Sequence, residues 1–289
     1  MMETQGRALD RVGFVGLGNQ GGPMAHRIVR GGFDVSVWAR RPNALDEFRE
    51  SGCDVATSLR ELAETCPMIA VCVTTDDDVR SVTLSHGGLV ESMPPGSTLA
   101  VHSTVHPDTV REVHDVATAR GVAVLDAPVS GGNAAAIAGR MTVLCGGATA
   151  LVDRWRPVFA THAAIIERLG GIGAGQVGKL LSNALSSLTL GASMWALDSA
   201  STLGLDRDVA FRLLLASSGD NFMLHHVPAI EAGGAAMAAS LLRKDLDLYA
   251  AIVRNGDGAG ATMARVADEA LRLVEELASR QRDGQSSNT

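Results

Sequence analysis

Val12-Gly13-Phe14-Val15-Gly16-Leu17-Gly18-Asn19-Gln20-Gly21 is the most informative stretch of the chain. Its apolar first half, Val12–Leu17, predicts a strand, and the amphipathic stretch Gln20–Arg30 predicts a helix directly after it. The glycines form the pattern G-x-G-x-x-G, in which the first allows a tight turn, the second lets backbone approach a pyrophosphate, and the third lets helix and strand pack closely. A dinucleotide-binding loop is therefore predicted at Gly16, Leu17, Gly18, Asn19, Gln20 and Gly21, the alternative being a glycine turn without a ligand.

Strand and helix patterns continue to alternate as far as Ile166. Apolar runs predict further strands at Asp34–Ala39, Met68–Val73, Thr98–His102, Val122–Asp126, Met141–Cys145 and Ala164–Ile166. Amphipathic stretches predict helices at Ala44–Glu50, Leu59–Thr65, Val79–Leu84, Pro107–Arg120 and Leu151–Phe159. This alternation predicts an α/β fold with a doubly wound, mostly parallel sheet of the Rossmann type.

The pattern changes at the glycine-rich residues 170–175. A proline-free helical pattern then runs from Gln176 to the region of Leu203. Later segments also have helical spacing, namely Arg207–Ala216, Pro228–Glu231, Leu241–Asn255 and Thr262–Arg280. We therefore predict a dinucleotide-binding domain at residues 1–168, then a long connecting helix and an all-α domain for substrate binding and dimerisation at residues 169–289, with a disordered tail at residues 281–289.

The bulk composition excludes several classes of partner. The net charge is −7 and no basic stripe occurs, so nucleic acid and anionic membranes are not expected partners. No run approaches the ~20 apolar residues that a membrane-spanning helix needs. The four cysteines lack C-x-x-C spacing, which predicts reduced thiols, and residues 1–11 lack an apolar signal region, so a cytoplasmic protein is expected.

The end of the second predicted strand bears on the choice of cofactor. Ala39-Arg40-Arg41 stands where an acidic residue would bind the ribose hydroxyls of NAD, and arginines there suit a 2′-phosphate. NADP(H) is therefore the preferred cofactor, with NAD(H) as the second choice; the alternative is that Arg40 and Arg41 are solvated turn charges.

No metal is expected, because Asp76-Asp77-Asp78 suits the first turn of a helix and the eight histidines form no H-x-x-H pattern.

The 25 basic residues include only two lysines, Lys179 and Lys244. A lysine amine can be tuned to release its proton whereas arginine cannot, so the lysines are candidates for chemistry, with chance in an arginine-rich chain as the alternative. Lys179 lies near the start of the long helix, and Asn183 follows four residues later on the same face. Such an amine can exchange the proton of a substrate hydroxyl, although a snorkelling surface lysine has the same spacing.

Two more polar motifs are candidates for binding. Ser130-Gly131-Gly132 follows a strand end, which is the edge where doubly wound sheets bind ligands. A hydroxyl and several backbone N–H groups in such a turn can hold a carboxylate, and the alternative is an ordinary turn. Lys244-Asp245-Leu246 lies in a later predicted helix, where the alternative is an exposed helix charge.

Taken in order, these segments resemble the β-hydroxyacid dehydrogenase family, the group of 3-hydroxyisobutyrate dehydrogenases and tartronate semialdehyde reductases. The similarity runs from about Val12 to Ala270. It is carried by the loop that begins at Gly13, by Asp126–Gly132, by Gly175 to Asn183, by Lys244-Asp245-Leu246, and by Ser103-Thr104 with Pro107. Two departures bear on the fit of nicotinamide or substrate: Gln20 stands where the family usually has methionine, and Thr74-Thr75 replaces a common Leu-Pro.

The resemblance implies an NAD(P)-dependent dehydrogenase that interconverts a small hydroxy acid and its semialdehyde or keto acid. It implies that Lys179 is the general acid/base and that Asn183 orients the substrate. It assigns the substrate carboxylate to Ser130, Gly131 and Gly132, and further cofactor contacts to Thr74, Thr104 and Lys244.

The resemblance also implies a homo-oligomer, either a dimer or a tetramer. An imine reductase on the same architecture is the alternative enzyme, and Lys179 argues against it because imine reductases typically lack this lysine. A non-catalytic dinucleotide-binding scaffold is the alternative outside catalysis, and Lys179 and Asn183 argue against that function too.

Overall fold

The computed structural model describes residues 11–51, 53–254 and 258–286. The chain forms two compact units that divide between Lys179 and Leu180. The first unit contains a sheet with helices and the second is helical, so the predicted fold class is confirmed. The predicted domain boundary after residue 168 stays a prediction.

The strands of the first unit lie in one mixed sheet. They are β1 (Val12–Val15), β2 (Val35–Trp38), β3 (Asp54–Val55), β4 (Met68–Val71), β5 (Thr98–Val101), β6 (Ala123–Asp126), β7 (Val129–Ser130), β8 (Met141–Gly146) and β9 (Ala163–Gly170). The strand order among the described residues is β3-β2-β1-β4-β5-β6-β8-β7, with β9 paired to β8. Strands β1 to β6 run parallel, whereas β8 is antiparallel to β6 and β7. Because the strand order reverses between β1 and β4, a crevice is expected at their carboxyl ends.

Helices cover both faces of this sheet. They are α1 (Gly21–Arg30), α2 (Asp46–Glu50), α3 (Leu59–Thr65), α4 (Asp76–Thr83), α5 (Leu89–Ser92), α6 (Pro107–Thr118), α7 (Gly132–Ala138) and α8 (Thr149–Phe159). Side chains alternate along β1, so that Phe14 joins one apolar core with Trp155 of α8. Val15 joins the opposite core with Val113 of α6. Both faces of the sheet are therefore buried at β1, as the central strands of a parallel sheet require.

The second unit packs helices around its own apolar core. The helices are α9 (Ala174–Thr202), whose first turns belong to the first unit, α10 (Arg207–Leu215), α11 (Val227–Ala229), α12 (Ala235–Val253) and α13 (Ala259–Ser286). Leu190, Leu246 and Leu271 contribute to the core from three of these helices. Arg243 of α12 donates to Glu275 at 2.8 Å and to Asp268 at 2.5 Å, which ties α12 to α13.

Short elements and alanine-rich segments were not predicted by the sequence. The two-residue strands β3 and β7 and the short helices α5 and α7 lack a periodic apolar pattern long enough to detect. Helix α12 begins at Ala235 rather than at Leu241, because the buried Ala235 and Ala239 form its apolar face with small side chains. The predicted end of this helix at Asn255 lies outside the described residues.

The prediction of a disordered tail is wrong for residues 281–286, which continue α13, while residues 287–289 lie outside the described part of the chain. The prediction fails because Gln281 contacts an irregular, π-helical turn at Ile230–Gly234, where Gly233 has φ +125°. The side-chain amide of Gln281 donates to the carbonyls of Ile230 at 3.0 Å and Glu231 at 2.9 Å. A polar residue is thus ordered because it satisfies backbone groups of this turn.

Candidate active site

The phosphate loop has the backbone that its glycines predict. Gly16 has φ +95°, a conformation that favours glycine, and a Cβ there would collide with the carbonyl of Cys72. A Cβ at Gly21 would collide with the carbonyl of Gly16, so this glycine is needed for close packing of α1 on β1. At Gly18, by contrast, a Cβ would meet no heavy atom within 4 Å. The open space at Gly18 and the start of α1 fit a bound pyrophosphate.

The carboxyl ends of parallel strands bring the other predicted residues of the first unit to the same edge of the sheet. Arg40 and Arg41 follow β2, Thr74 follows β4, Thr104 follows β5, and Ser130 ends the short strand β7 after β6. The Arg40 side chain is 81% exposed and lies 3.2 Å from Asp78. Both arginines are accessible to a ligand at this edge.

The acidic run after β4 has the predicted structural role. Thr75 caps α4, and its hydroxyl accepts from the backbone N–H of Asp78 at 3.0 Å while the Asp78 carboxylate accepts from the Thr75 N–H at 3.3 Å. Asp76 accepts from the backbone N–H of His106 at 2.8 Å and from the Thr109 hydroxyl at 2.6 Å. These carboxylates thus fix the loops after β4 and β5.

Asp126 anchors the start of the long helix α9. Its carboxylate, fully buried at the end of β6, accepts from the backbone N–H of Gly173 at 2.7 Å and of Gln176 at 2.8 Å. Burial raises the pKa of Asp126, and the hydrogen bonds from these N–H groups offset part of that rise. A Cβ at Gly146 would collide with the carboxylate, so glycine is required opposite it.

Gln176 connects the same helix turn to the loop after β5. Its amide is buried; Oε1 accepts from the backbone N–H of Val105 at 3.0 Å, and Nε2 donates to the carbonyl of Ser103 at 2.9 Å. The Ser103 hydroxyl in turn accepts from the backbone N–H of Val73 at 2.8 Å. The loop that carries Thr104 is therefore held from both sides.

Lys179 and Ser130 lie together in this unit. Lys179 is only 8% exposed, and its Nζ donates to the Ser130 hydroxyl at 3.3 Å. Gly131 and Gly132 have φ +123° and +67°, so the chain turns sharply after Ser130 and α7 begins at Gly132. A primary amine, a hydroxyl and the backbone N–H groups of this turn are thus grouped at one end of the sheet.

Asn183 and Lys244 are connected within the second unit. The Asn183 side-chain amide donates to the Asp245 carboxylate at 2.5 Å. The Lys244 Nζ lies 2.8 Å from the other oxygen of the same carboxylate. Both predicted residues therefore contact one buried acidic residue.

Sequence reasoning did not assign site roles to Asp126, Gln176, His102 and Asp245. Asp126 and Asp245 lie inside motifs that the sequence singled out, and a carboxylate directly after an apolar strand is a usable signal for Asp126. His102 is fully buried, and its Nδ1 lies 2.7 Å from the carbonyl of Ala127. Burial lowers its pKa to about 4, so the ring is neutral near pH 7 and serves to link the ends of β5 and β6.

Comparison with protein families covers almost all of the chain. Residues 11–173 match the model of the NAD binding domain of 6-phosphogluconate dehydrogenase. Residues 173–287 match the model for NAD-binding of NADP-dependent 3-hydroxyisobutyrate dehydrogenase. The two matches meet at residue 173, next to the start of α9.

Characterised relatives and solved structures agree with these matches. An NAD-dependent L-serine dehydrogenase of Pseudomonas aeruginosa is 30% identical over 250 residues, which cover 83% of this chain and 84% of the relative. A 3-hydroxyisobutyrate dehydrogenase of the same organism is 32% identical over 247 residues, with 82% and 83% covered. The structure of Mycobacterium tuberculosis 3-hydroxyisobutyrate dehydrogenase with L-serine aligns over 94% of each chain with a TM-score of 0.82 and 26% identity. An imine reductase from Myxococcus stipitatus has a TM-score of 0.65 but 15% identity, a likeness of fold alone.

We predict that Asp126→Asn loosens the start of α9. An amide offers one acceptor oxygen to two backbone N–H groups, so one charge-assisted bond is lost and one N–H is left unsatisfied. The free energy of unfolding should fall by about 1–3 kcal/mol. Backbone amides of residues 173–179 should exchange faster, which hydrogen exchange with mass spectrometry measures.

The matched control is Asp115→Asn on the exposed side of α6, where exchange at the start of α9 should stay at the wild-type rate. Wild-type exchange of residues 173–179 in Asp126→Asn would contradict the anchoring role.

Proposed function

The chain belongs to the β-hydroxyacid dehydrogenase family, and on that basis we propose that Lys179 is the general acid/base of its reaction. The protein is an NAD(P)-dependent oxidoreductase that acts on CH–OH groups and interconverts a small hydroxy acid and its semialdehyde or keto acid. The single observation that supports the role of Lys179 is the 3.3 Å hydrogen bond between its buried amine and Ser130, the first residue of the proposed carboxylate turn.

The chemistry divides between the cofactor and the chain. A bound nicotinamide accepts or supplies a hydride at the alcohol carbon. Ser130, with the backbone N–H groups of Gly131 and Gly132, would hold the substrate carboxylate. Lys179 would then take the hydroxyl proton during oxidation or return it during reduction, and Asn183 would orient the substrate.

Lysine suits this role for two reasons. Its amine is compact enough to share a turn with Ser130, and it can exist without its proton, whereas a guanidinium cannot. A buried position also removes water that would compete for the proton. An imine reductase or a non-catalytic scaffold has no corresponding need for a buried lysine beside a carboxylate turn.

We propose NADP(H) as the preferred cofactor, with NAD(H) also accepted. Support comes from the exposed Arg40 and Arg41 directly after β2 and from the absence of a carboxylate in Ala39-Arg40-Arg41. In Rossmann-type domains, this position faces the adenosine ribose. Two guanidinium groups there favour a 2′-phosphate over free hydroxyls.

We further propose a homo-oligomer, a dimer or a tetramer, in the cytoplasm. In the second unit, Leu205, Val209 and Leu213 lie on or next to α10 and are 52%, 50% and 59% exposed, an apolar surface that suits burial against another copy. All four cysteines are free thiols, which is typical of a reducing compartment. No described helix has both the length and the apolar character that crossing a bilayer demands.

We predict that Lys179→Ala and Lys179→Arg both lower kcat by roughly 10²–10⁴-fold, since neither supplies a titratable amine. Cofactor affinity, measured by fluorescence titration, should change little. The assay follows the absorbance of reduced nicotinamide with a panel of semialdehydes, α-keto acids and cyclic imines. Near-normal kcat in Lys179→Arg would show that the residue supplies charge and not a proton, and turnover of cyclic imines alone would favour the alternative enzyme.

We predict that kcat/KM is higher with NADPH than with NADH. The double variant Arg40→Ser/Arg41→Ser should raise the KM for NADPH about tenfold or more, because charge-assisted bonds to the 2′-phosphate are lost. It should leave the KM for NADH nearly unchanged. Arg49→Ser, at another exposed arginine, serves as the control, and a wild-type preference for NADH would refute the proposed selectivity.

We predict that Val209→Glu/Leu213→Glu reduces the oligomeric state of the full chain. Two carboxylates in a desolvated apolar interface carry a large penalty, whereas on a free surface they are well hydrated. Sedimentation equilibrium measures the mass of both proteins. Arg212→Glu, at an exposed polar position of the same helix, should keep the wild-type mass, and an unchanged mass in the double variant would place the interface elsewhere.

A further inference from the structure

One buried carboxylate in the second unit holds two of the proposed functional residues. The Asp245 side chain is 9% exposed, and Lys244 beside it is 32% exposed. One carboxylate oxygen accepts from the Asn183 amide nitrogen, and the other lies 2.8 Å from the Lys244 ammonium. Asp245 itself has no role in the function proposed above.

The charge of Asp245 determines which way round the Asn183 amide is held. An asparagine side chain presents an acceptor oxygen on one side and a donor nitrogen on the other, and the two ends have nearly the same shape. An ionised carboxylate only accepts hydrogen bonds, so it pairs with Nδ2 and repels Oδ1. The pair therefore fixes one amide orientation, in which Oδ1 and the second Nδ2 hydrogen are directed to other partners.

Lys244 and Asn183 compensate for the burial of the Asp245 carboxylate. Removing a charge from water is costly unless an opposite charge and hydrogen bonds compensate for the loss. The ammonium at 2.8 Å supplies the charge and the Asn183 amide supplies a hydrogen bond. With either partner missing, the buried carboxylate would lose part of this compensation, and its hold on one amide orientation would weaken.

We propose that Asp245 is a positioning residue that acts through Asn183. It holds the amide in the single orientation that presents Oδ1 and one N–H to the substrate. The proposal rests on the proposed role of Asn183 in orienting the substrate. It adds that this role depends on a carboxylate outside the reacting groups, with Lys244 as its counterion.

A double-mutant cycle tests whether Asp245 acts through Asn183. Asp245→Asn keeps the size of the side chain but lets the facing amides pair in either orientation, so kcat/KM should fall roughly tenfold or more, the effect of losing a charge-assisted bond. In the Asn183→Ala background the same change should have almost no further effect on kcat/KM. If the losses of kcat/KM in the two single variants multiply in the double variant, the two residues act independently and the proposal is overturned.

A spectroscopic measurement tests the orientation without relying on turnover. In protein labelled with ¹⁵N-asparagine, the side-chain signal that disappears in Asn183→Asp belongs to Asn183. One of its two protons should be shifted downfield by the carboxylate in the wild type, and that shift should be lost when Asp245 is replaced by glutamine or alanine, neither of which adds an asparagine signal. An Asn183 signal that is the same in wild type and both replacements would refute the contact.

The control is Asp247→Asn two residues along α12, where the side chain is 66% exposed and lies near Arg243. It should leave kcat/KM and the Asn183 signal unchanged, while circular dichroism confirms that each variant is folded. If the wild type turns over no hydroxy acid, the proposed function fails, yet the Asn183 signal still tests the amide orientation. Normal turnover in Asp245→Asn would refute the positioning role alone.

Discussion

The hydrogen bonds between the Asp126 carboxylate and the first turn of α9 constrain the position of Lys179, the proposed general acid/base. An α-helix is a stiff element with 3.6 residues per turn, so fixing its first turn fixes the direction of the side chains that follow. Gln176 is held by the carboxylate, and Lys179 lies three residues further along the same helix. The placement of its amine beside Ser130 thus follows from a contact at the end of β6.

The edge of the sheet near this contact contains several buried polar side chains, and Asp126, Gln176 and His102 each contact backbone groups there. Asp126 accepts two backbone N–H groups, Gln176 uses both ends of its amide, and His102 contacts the carbonyl of Ala127. Apolar residues would fill the same volume without the desolvation that polar groups incur. A hydrogen-bonded network, however, accepts only one arrangement of its members, whereas apolar packing tolerates several. Polar groups are therefore buried at this edge because their hydrogen bonds hold three loops and a helix in one fixed arrangement.

The sequence predicts the elements with long periodic patterns and fails where small or distant residues determine the structure. The glycine loop and β1 could be predicted because Gly16 and Gly21 have local backbone roles. The roles of Gln176 and Asp245 could not, because their partners lie 71 and 62 residues away along the chain. The order of residues 281–286 escaped prediction for the same reason, since Gln281 bonds to a turn 51 residues away. The composition shows only that the tail is polar, whereas the fold brings the carbonyl groups of Ile230 and Glu231 next to the Gln281 amide.

Arginine and lysine make different kinds of contact in this protein because their cationic groups differ in shape. Arg243, for example, joins α12 to α13 through Glu275 and Asp268. A planar guanidinium with five donors suits such multiple pairing, and it stays charged whatever its surroundings. The two lysines instead lie beside the Ser130 hydroxyl and the Asp245 carboxylate, in places where a compact amine with rotatable protons fits. In the proposed function Lys179 exchanges a proton with the substrate, whereas Lys244 lies next to Asp245 as its counterion. An arginine at either position would retain the charge, but at 179 it could not perform the proposed proton transfer, and at 244 a longer, forked group would have to approach a carboxylate on the neighbouring residue.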